Sequence, residues 1–138
     1  MLSAFALAFA LFILPILGEI SNCGKNSVFT ITQLSLSPSN TVRAGENVSL
    51  TLLYTSPVIV SEGSVKTSIT YNFIPLSPTT SQLCAQTSCP IQIGTNNASS
   101  TFIFPEGVSG SVVSKVVWEN SAGKELLCIK VSLKTSWL

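Results

Sequence analysis

A chain of 138 residues with a net charge of +1, from seven basic and six acidic side chains, is the size of one domain. Charged residues make up only 9% and stand singly, so no basic stripe follows a phosphate backbone and no nucleic acid partner is expected. Histidine is absent, which removes Ser-His-Asp and Cys-His catalytic units and any imidazole pH switch.

The chain opens MLSAFALAFALFILPILG. Its apolar run from Ala4 to Leu14 is too short to span a bilayer, and Pro15 interrupts it. That is the pattern of a secretory signal peptide over residues 1–18, cut after the small residue Gly18. The terminal amine is the only positive charge ahead of it. Residues 19–138 then form the mature domain, expected in the secreted or the endosomal and lysosomal lumenal space.

An oxidising compartment turns an even number of cysteines toward disulfides. Cys23, Cys84, Cys89 and Cys128 allow three pairings, and their spacing does not choose among them. Zinc would need all four thiolates, because histidine and aspartate are missing, and no pair of CxxC knuckles exists. No metal and no cofactor are expected.

Hydrophobicity along the mature chain repeats every second residue. In VFTITQLSLS the apolar positions are Phe29 and Ile31, then Leu34 and Leu36, so the phase slips near Gln33 and predicts a bulge or bend. NVSLTLLY places Val48, Leu50, Leu52 and Tyr54 on one face. VKTSITYNF does the same with Val65, Ile69, Tyr71 and Phe73. Residues 100–104 and 112–118 predict two further strands. LLCIKVSLK sets Leu127, Ile129, Val131 and Leu133 against Cys128, Lys130, Ser132 and Lys134. Turn signals separate these runs at Gly45, Gly63, Pro75 to Pro78, Gly107 and Gly123. Six to eight short strands without a helical repeat predict an all-β sandwich or barrel.

Two glycosylation triplets fit an extracytosolic chain, at Asn47 where a strand begins and at Asn97 in a stretch expected to be a turn. The six glutamates, among them Glu46, Glu62, Glu106, Glu119 and Glu125, are scattered beside turns as solvated charges. No glycine-rich phosphate loop follows a strand, so an enzyme is not expected. An immunoglobulin-like recognition module acting through protein contacts is the alternative. A Cys23–Cys84 bridge would suit it, but no tryptophan lies between them, since Trp118 and Trp137 follow Cys89.

The stretch LCAQTSCPIQIG, from Leu83 to Gly94, joins a short Cys–Cys loop to a proline. Around it stand, in order, Cys23, Leu34-Ser-Leu-Ser-Pro38, Ala44-Gly45, Val58-Ile-Val-Ser-Glu-Gly63, Trp118 and Cys128. This ordered set resembles the ML (lipid-recognition) domain family over nearly all of the mature chain. The resemblance implies an immunoglobulin-like β-sandwich of two antiparallel sheets with an apolar cavity between them. It also implies Cys84–Cys89 and Cys23–Cys128 pairs, and a monomer that binds and transfers a sterol or phospholipid. Transient contact with a membrane surface or a lipid-accepting protein would accompany transfer. Family members carry a further short bridge where this chain has Ser37 to Thr41, without cysteine.

The inward faces Val48, Leu50, Leu52, Tyr54, Ile69, Tyr71, Phe73, Val131 and Leu133 are the expected lipid walls. By resemblance, Ile74, Leu76, Phe104, Pro105 and Val108 frame the entrance, and Trp118 is a wall residue. In this reading Pro90 starts a strand that Gly94 helps to end.

Overall fold

The structure is a computed structural model that describes residues 19–37, 45–103 and 110–135. Residues 1–18, expected as a signal peptide, Trp137, and the expected entrance residues Phe104, Pro105 and Val108 lie outside them. So does most of the segment where the family's further bridge would stand.

Nine strands form among the described residues: β1 Glu19–Asn22, β2 Thr30–Ser37, β3 Asn47–Ser56, β4 Gly63–Tyr71, β5 Ile74–Pro75, β6 Thr79–Gln82, β7 Gly94–Ile103, β8 Gly110–Asn120 and β9 Glu125–Thr135. Six of them make one antiparallel sheet in the order β1-β9-β8-β4-β5, with β6 also on β4. The other sheet is β2-β3-β7, antiparallel as well. The expected fold class, an immunoglobulin-like sandwich of two antiparallel sheets, is what the chain adopts.

Period-two patterning decides which face of each strand is covered. In β3, Val48, Leu52 and Tyr54 are buried while Asn47 and Thr51 are exposed. The phase slip near Gln33 is a bulge: the β2–β3 register shifts between Ile31 and Gln33, and the Thr32 hydroxyl donates to the Leu53 carbonyl at 3.1 Å. Near the start of β9, Leu126, Leu127, Cys128 and Ile129 are all buried, so alternation fails there. The chain from Cys23 to Phe29 runs beside this stretch, with backbone hydrogen bonds from Cys23, Val28 and Phe29 to the Cys128, Glu125 and Leu126 carbonyls.

Three expectations are corrected. Pro90 does not start a strand: Ile91 makes one isolated bridge with Val60, and Gly94 opens β7 rather than ending a strand. Asn97 therefore sits inside β7, not in a turn, although both it and Asn47 are exposed. Phe73 does not continue the inward face of β4. The strand stops at Tyr71, Asn72 and Phe73 take φ of 47° and 67°, and the reversal leaves Phe73 91% exposed.

That reversal is clasped to β8. The Asn72 N–H donates to the Ser111 carbonyl, and the Asn72 side-chain oxygen accepts from the Ser111 N–H, both at 2.8 Å. Gly110 is required beside it, because a Cβ there would stand 2.1 Å from the Asn72 oxygen, and its own φ is +119°. At the other end of β8, Asn120 Oδ1 accepts from the Ala122 and Lys124 N–H groups and sets the β8–β9 turn.

Both cysteine pairs implied by the resemblance are present. Cys23–Cys128 joins the residue after β1 to β9, with Cα atoms 5.0 Å apart and 105 residues of separation. Cys84–Cys89 closes a loop of separation 5 that begins in a 3-10 turn at Leu83–Ala85. Chain-entropy arguments make the long bridge worth about 4–5 kcal/mol and the short one about 2 kcal/mol. Replacing Cys23 and Cys128 together by alanine should therefore cost about twice as much stability in urea unfolding as replacing Cys84 and Cys89. Equal losses would show that local geometry, not loop length, sets the worth of each bridge.

Candidate functional site

The two sheets pack shut at the end that holds Tyr54 and enclose a space along the strands beyond it. At the closed end Phe29 stacks on Tyr54, ring centroids 5.1 Å apart, and Tyr54 meets Trp118 edge-on at 5.5 Å. These three rings come from the chain leading into β2, from β3 and from β8, so they tie both sheets together. Each pair adds about 0.5–1.5 kcal/mol beyond its buried area.

Beyond Trp118 lies a cavity of about 580 Å³. From the smaller sheet, Leu50 and Leu52 of β3 and Ala98, Ser99 and Ser100 of β7 line it. The larger sheet contributes Val65, Thr67, Ile69 and Tyr71 of β4, then Val112, Ser114, Val116 and Trp118 of β8. Ile129, Val131 and Leu133 of β9 complete that wall, while Leu76 and Gln86 reach in from the connection after β4. No charged side chain lines the space among the described residues. The cavity meets solvent where Ile69 and Leu76 are 36% and 50% exposed. Such a volume lies within the usual range of small-molecule sites.

The residues expected as lipid walls separate into three groups. Leu50, Leu52, Ile69, Tyr71, Leu76, Trp118, Val131 and Leu133 are brought together around the cavity. Val48 and Tyr54 are buried in the packed core and do not line it. Phe73 and Ile74 do not line it either and stand at the β4–β5 reversal, at 91% and 62% exposure.

Sequence reasoning missed Val112, Ser114 and Val116, because VVSKVVW carries valine on both faces and hides its phase. Lys115 was the usable signal: a lysine outward in mid-strand sends its even-numbered neighbours inward. Ala98 and Ser100 were missed because small and polar residues give no hydrophobic alternation. Their inward placement follows from pairing with Leu52 and Leu50.

At the closed end the Tyr54 phenol is shifted. Burial holds Tyr54 above its ordinary value of 10.0, and its contact with the Thr87 hydroxyl at 3.3 Å pulls in the opposite direction. Among the described residues no cluster of histidine, cysteine, aspartate or glutamate is arranged to hold a metal.

The sequence model of the ML domain matches residues 18–135. The chain belongs to the ML domain family. Two solved ML-domain folds resemble it. One is a Niemann-Pick type C2 protein from Japanese carpenter ant, with TM-score 0.65, 14% identity, and coverage of 86% of this chain and 99% of that one. The other is chicken MD-1 complexed with lipid IVa, with TM-score 0.52, 10% identity, and coverage of 86% and 99%. No curated protein sequence matches. Lipid binding in general is the property this ML domain shares with its family.

The Tyr54 phenol makes the closed end sensitive to alkali. Folded Tyr54 keeps its proton above the pH at which the unfolded phenol loses it, so the folded state binds more protons there. Stability is intact below pH 10.0 and falls as pH rises through the raised value. Comparing unfolding midpoints of the natural chain and Tyr54→Phe across that range should show a smaller alkaline loss in the variant. Parallel curves would mean that Tyr54 ionises in the folded state without consequence.

Proposed function

We propose that this ML domain is a non-catalytic, monomeric lipid carrier of the secreted or lumenal space, holding one sterol or phospholipid between its sheets and passing it between membranes. The observation that carries the reading is the uncharged, apolar-walled cavity of about 580 Å³. Protein interiors normally close-pack, so an unfilled space of this size is costly unless something occupies it. Each methylene removed from water contributes about 0.8 kcal/mol, so a tail of roughly fourteen carbons gains on the order of 10 kcal/mol before ordering costs.

Residues 1–18 act as the signal peptide in this reading, and exposed Asn47 is the site of N-glycosylation. Phe73, Ile74 and Leu76 form an apolar rim, more than half exposed at the first two, on the side where the cavity meets solvent. That rim is the face suited to transient contact with a donor membrane. Phe104, Pro105 and Val108 belong to the same proposal as partners of the rim.

Native mass spectrometry of the purified protein, followed by lipid extraction, should give one lipid per chain. Ala98→Trp projects an indole into the cavity from β7. It should lower lipid uptake by at least about tenfold, equivalent to 1.4 kcal/mol, with the unfolding midpoint unchanged or raised. An apo protein whose uptake is indifferent to Ala98→Trp would sink the carrier reading.

Lipid affinity should also be nearly flat between about pH 5.5 and 7.5. No histidine exists to titrate there, and no charged side chain lines the cavity among the described residues. Equilibrium binding of a fluorescent lipid across that range is the check, and a steep acid loss would contradict it.

A further inference from the structure

Beside the apolar cavity lies a second space of a different character. It is a cleft of about 380 Å³ between the Cys84–Cys89 loop and the middle of β7, lined by Cys84, Ala85, Gln86, Thr87, Ser88 and Asn97 to Ser99. The two spaces are neighbours: Gln86, Ala98 and Ser99 line both. A molecule with its apolar body against Leu52 and Val116 therefore has a short path past Gln86 into a polar chamber.

The chemistry of that chamber is one-sided. Gln86, Thr87, Ser88, Asn97 and Ser99 are all neutral, and each side chain both donates and accepts hydrogen bonds. β7 is the outer strand of its sheet, so part of its backbone N–H and C=O groups also faces this side. Among the described residues no lysine or arginine lines either space. A phosphate would find neutral amide and hydroxyl donors there but no cation to offset its charge. Sugar hydroxyls both donate and accept, as the lining does, and bring no charge to be offset.

We propose that the cleft between the Cys84–Cys89 loop and β7 is the head-group site, and that it selects a lipid with an uncharged, multiply hydroxylated head, a sugar. This rests on the carrier reading of the adjoining cavity and moves its cargo from a sterol or phospholipid to a sugar-headed lipid. Gln86 stands at the junction and is the specificity-determining residue, while Leu52, Val116 and their neighbours hold the tail whatever the head. The staple gives the site its rigidity, because it fixes the loop that carries Gln86, Thr87 and Ser88.

The test uses the full mature chain, stripped of lipid, and four probes: a monohexosyl diacylglycerol, phosphatidylglycerol with the same acyl chains, the head-less diacylglycerol, and cholesterol. Each displaces one fluorescent lipid. The hexosyl lipid should bind about tenfold or more tighter than phosphatidylglycerol and than diacylglycerol. Gln86→Ala should erase most of that gain, lowering hexosyl-lipid affinity far more than diacylglycerol affinity. A glycan on Asn97 would fill the cleft from outside, so the comparison is decided on Asn97→Gln, which keeps an amide and carries no glycan. Phosphatidylglycerol binding as tightly as the hexosyl lipid, cholesterol binding tightest with no gain from the sugar, or an equal loss for every probe in Gln86→Ala would each overturn the head-group assignment. If none of the four binds, the carrier reading falls with it.

Discussion

The contact on which this molecule depends is the aromatic seal of Phe29, Tyr54 and Trp118. Two sheets joined along their whole length would pack shut, and two sheets joined nowhere would not fold. Stacking at 5.1 Å and the edge-on contact at 5.5 Å hold the sheets together at one end, and Leu36, Val48 and Leu133 belong to the same buried cluster. Beside that seal the walls enclose the cavity, and Trp118 serves both purposes, as a member of the seal and as the floor of the cavity. The hydrophobic effect normally empties a core of space, and the apolar walls left here are what the proposed lipid would cover.

Inequality of the sheets does the rest. Six strands on one side face three on the other, so β4 with its partners β5 and β6 extends past the cover that β7 provides. The connection from β5 to the Cys84–Cys89 loop fills that margin, bringing Leu76 and Gln86 to the cavity from outside either β3 or β7. One margin thus carries an apolar rim at Phe73, Ile74 and Leu76 and a neutral polar stretch from Gln86 to Ser88. A lipid has the same two-part constitution.

Much of this was legible in the sequence where physics leaves a periodic trace. The faces of β3 and β9 were readable because Val48, Leu52 and Tyr54, or Ile129, Val131 and Leu133, alternate with polar neighbours. The bulge at the Ile31–Gln33 step was visible as a slipped phase. β6 was not readable: Thr-Thr-Ser-Gln is exposed at every position and is a strand only because β4 offers it backbone partners. Nor was the reversal at Asn72 and Phe73, since two consecutive non-glycine residues with positive φ contradict local preference and are held by Ser111 from a distant strand. The cysteine pairing came from family likeness, because spacing left three possibilities open. Wall residues and core residues share one pattern, so Val48 and Tyr54 could be told from Leu50 and Leu52 only in three dimensions.

Both bridges stand at the sealed end: Cys128 pairs across from Val117, beside Trp118, and the Cys84 loop begins at Leu83, packed against Gly63. Among the described residues the far end has hydrogen bonds and packing but no covalent tie. Covalent ties are thus concentrated beside the contact of Tyr54 with Trp118, and the strands around Tyr71 and Leu133, at the other end of the cavity, are held by pairing and packing alone.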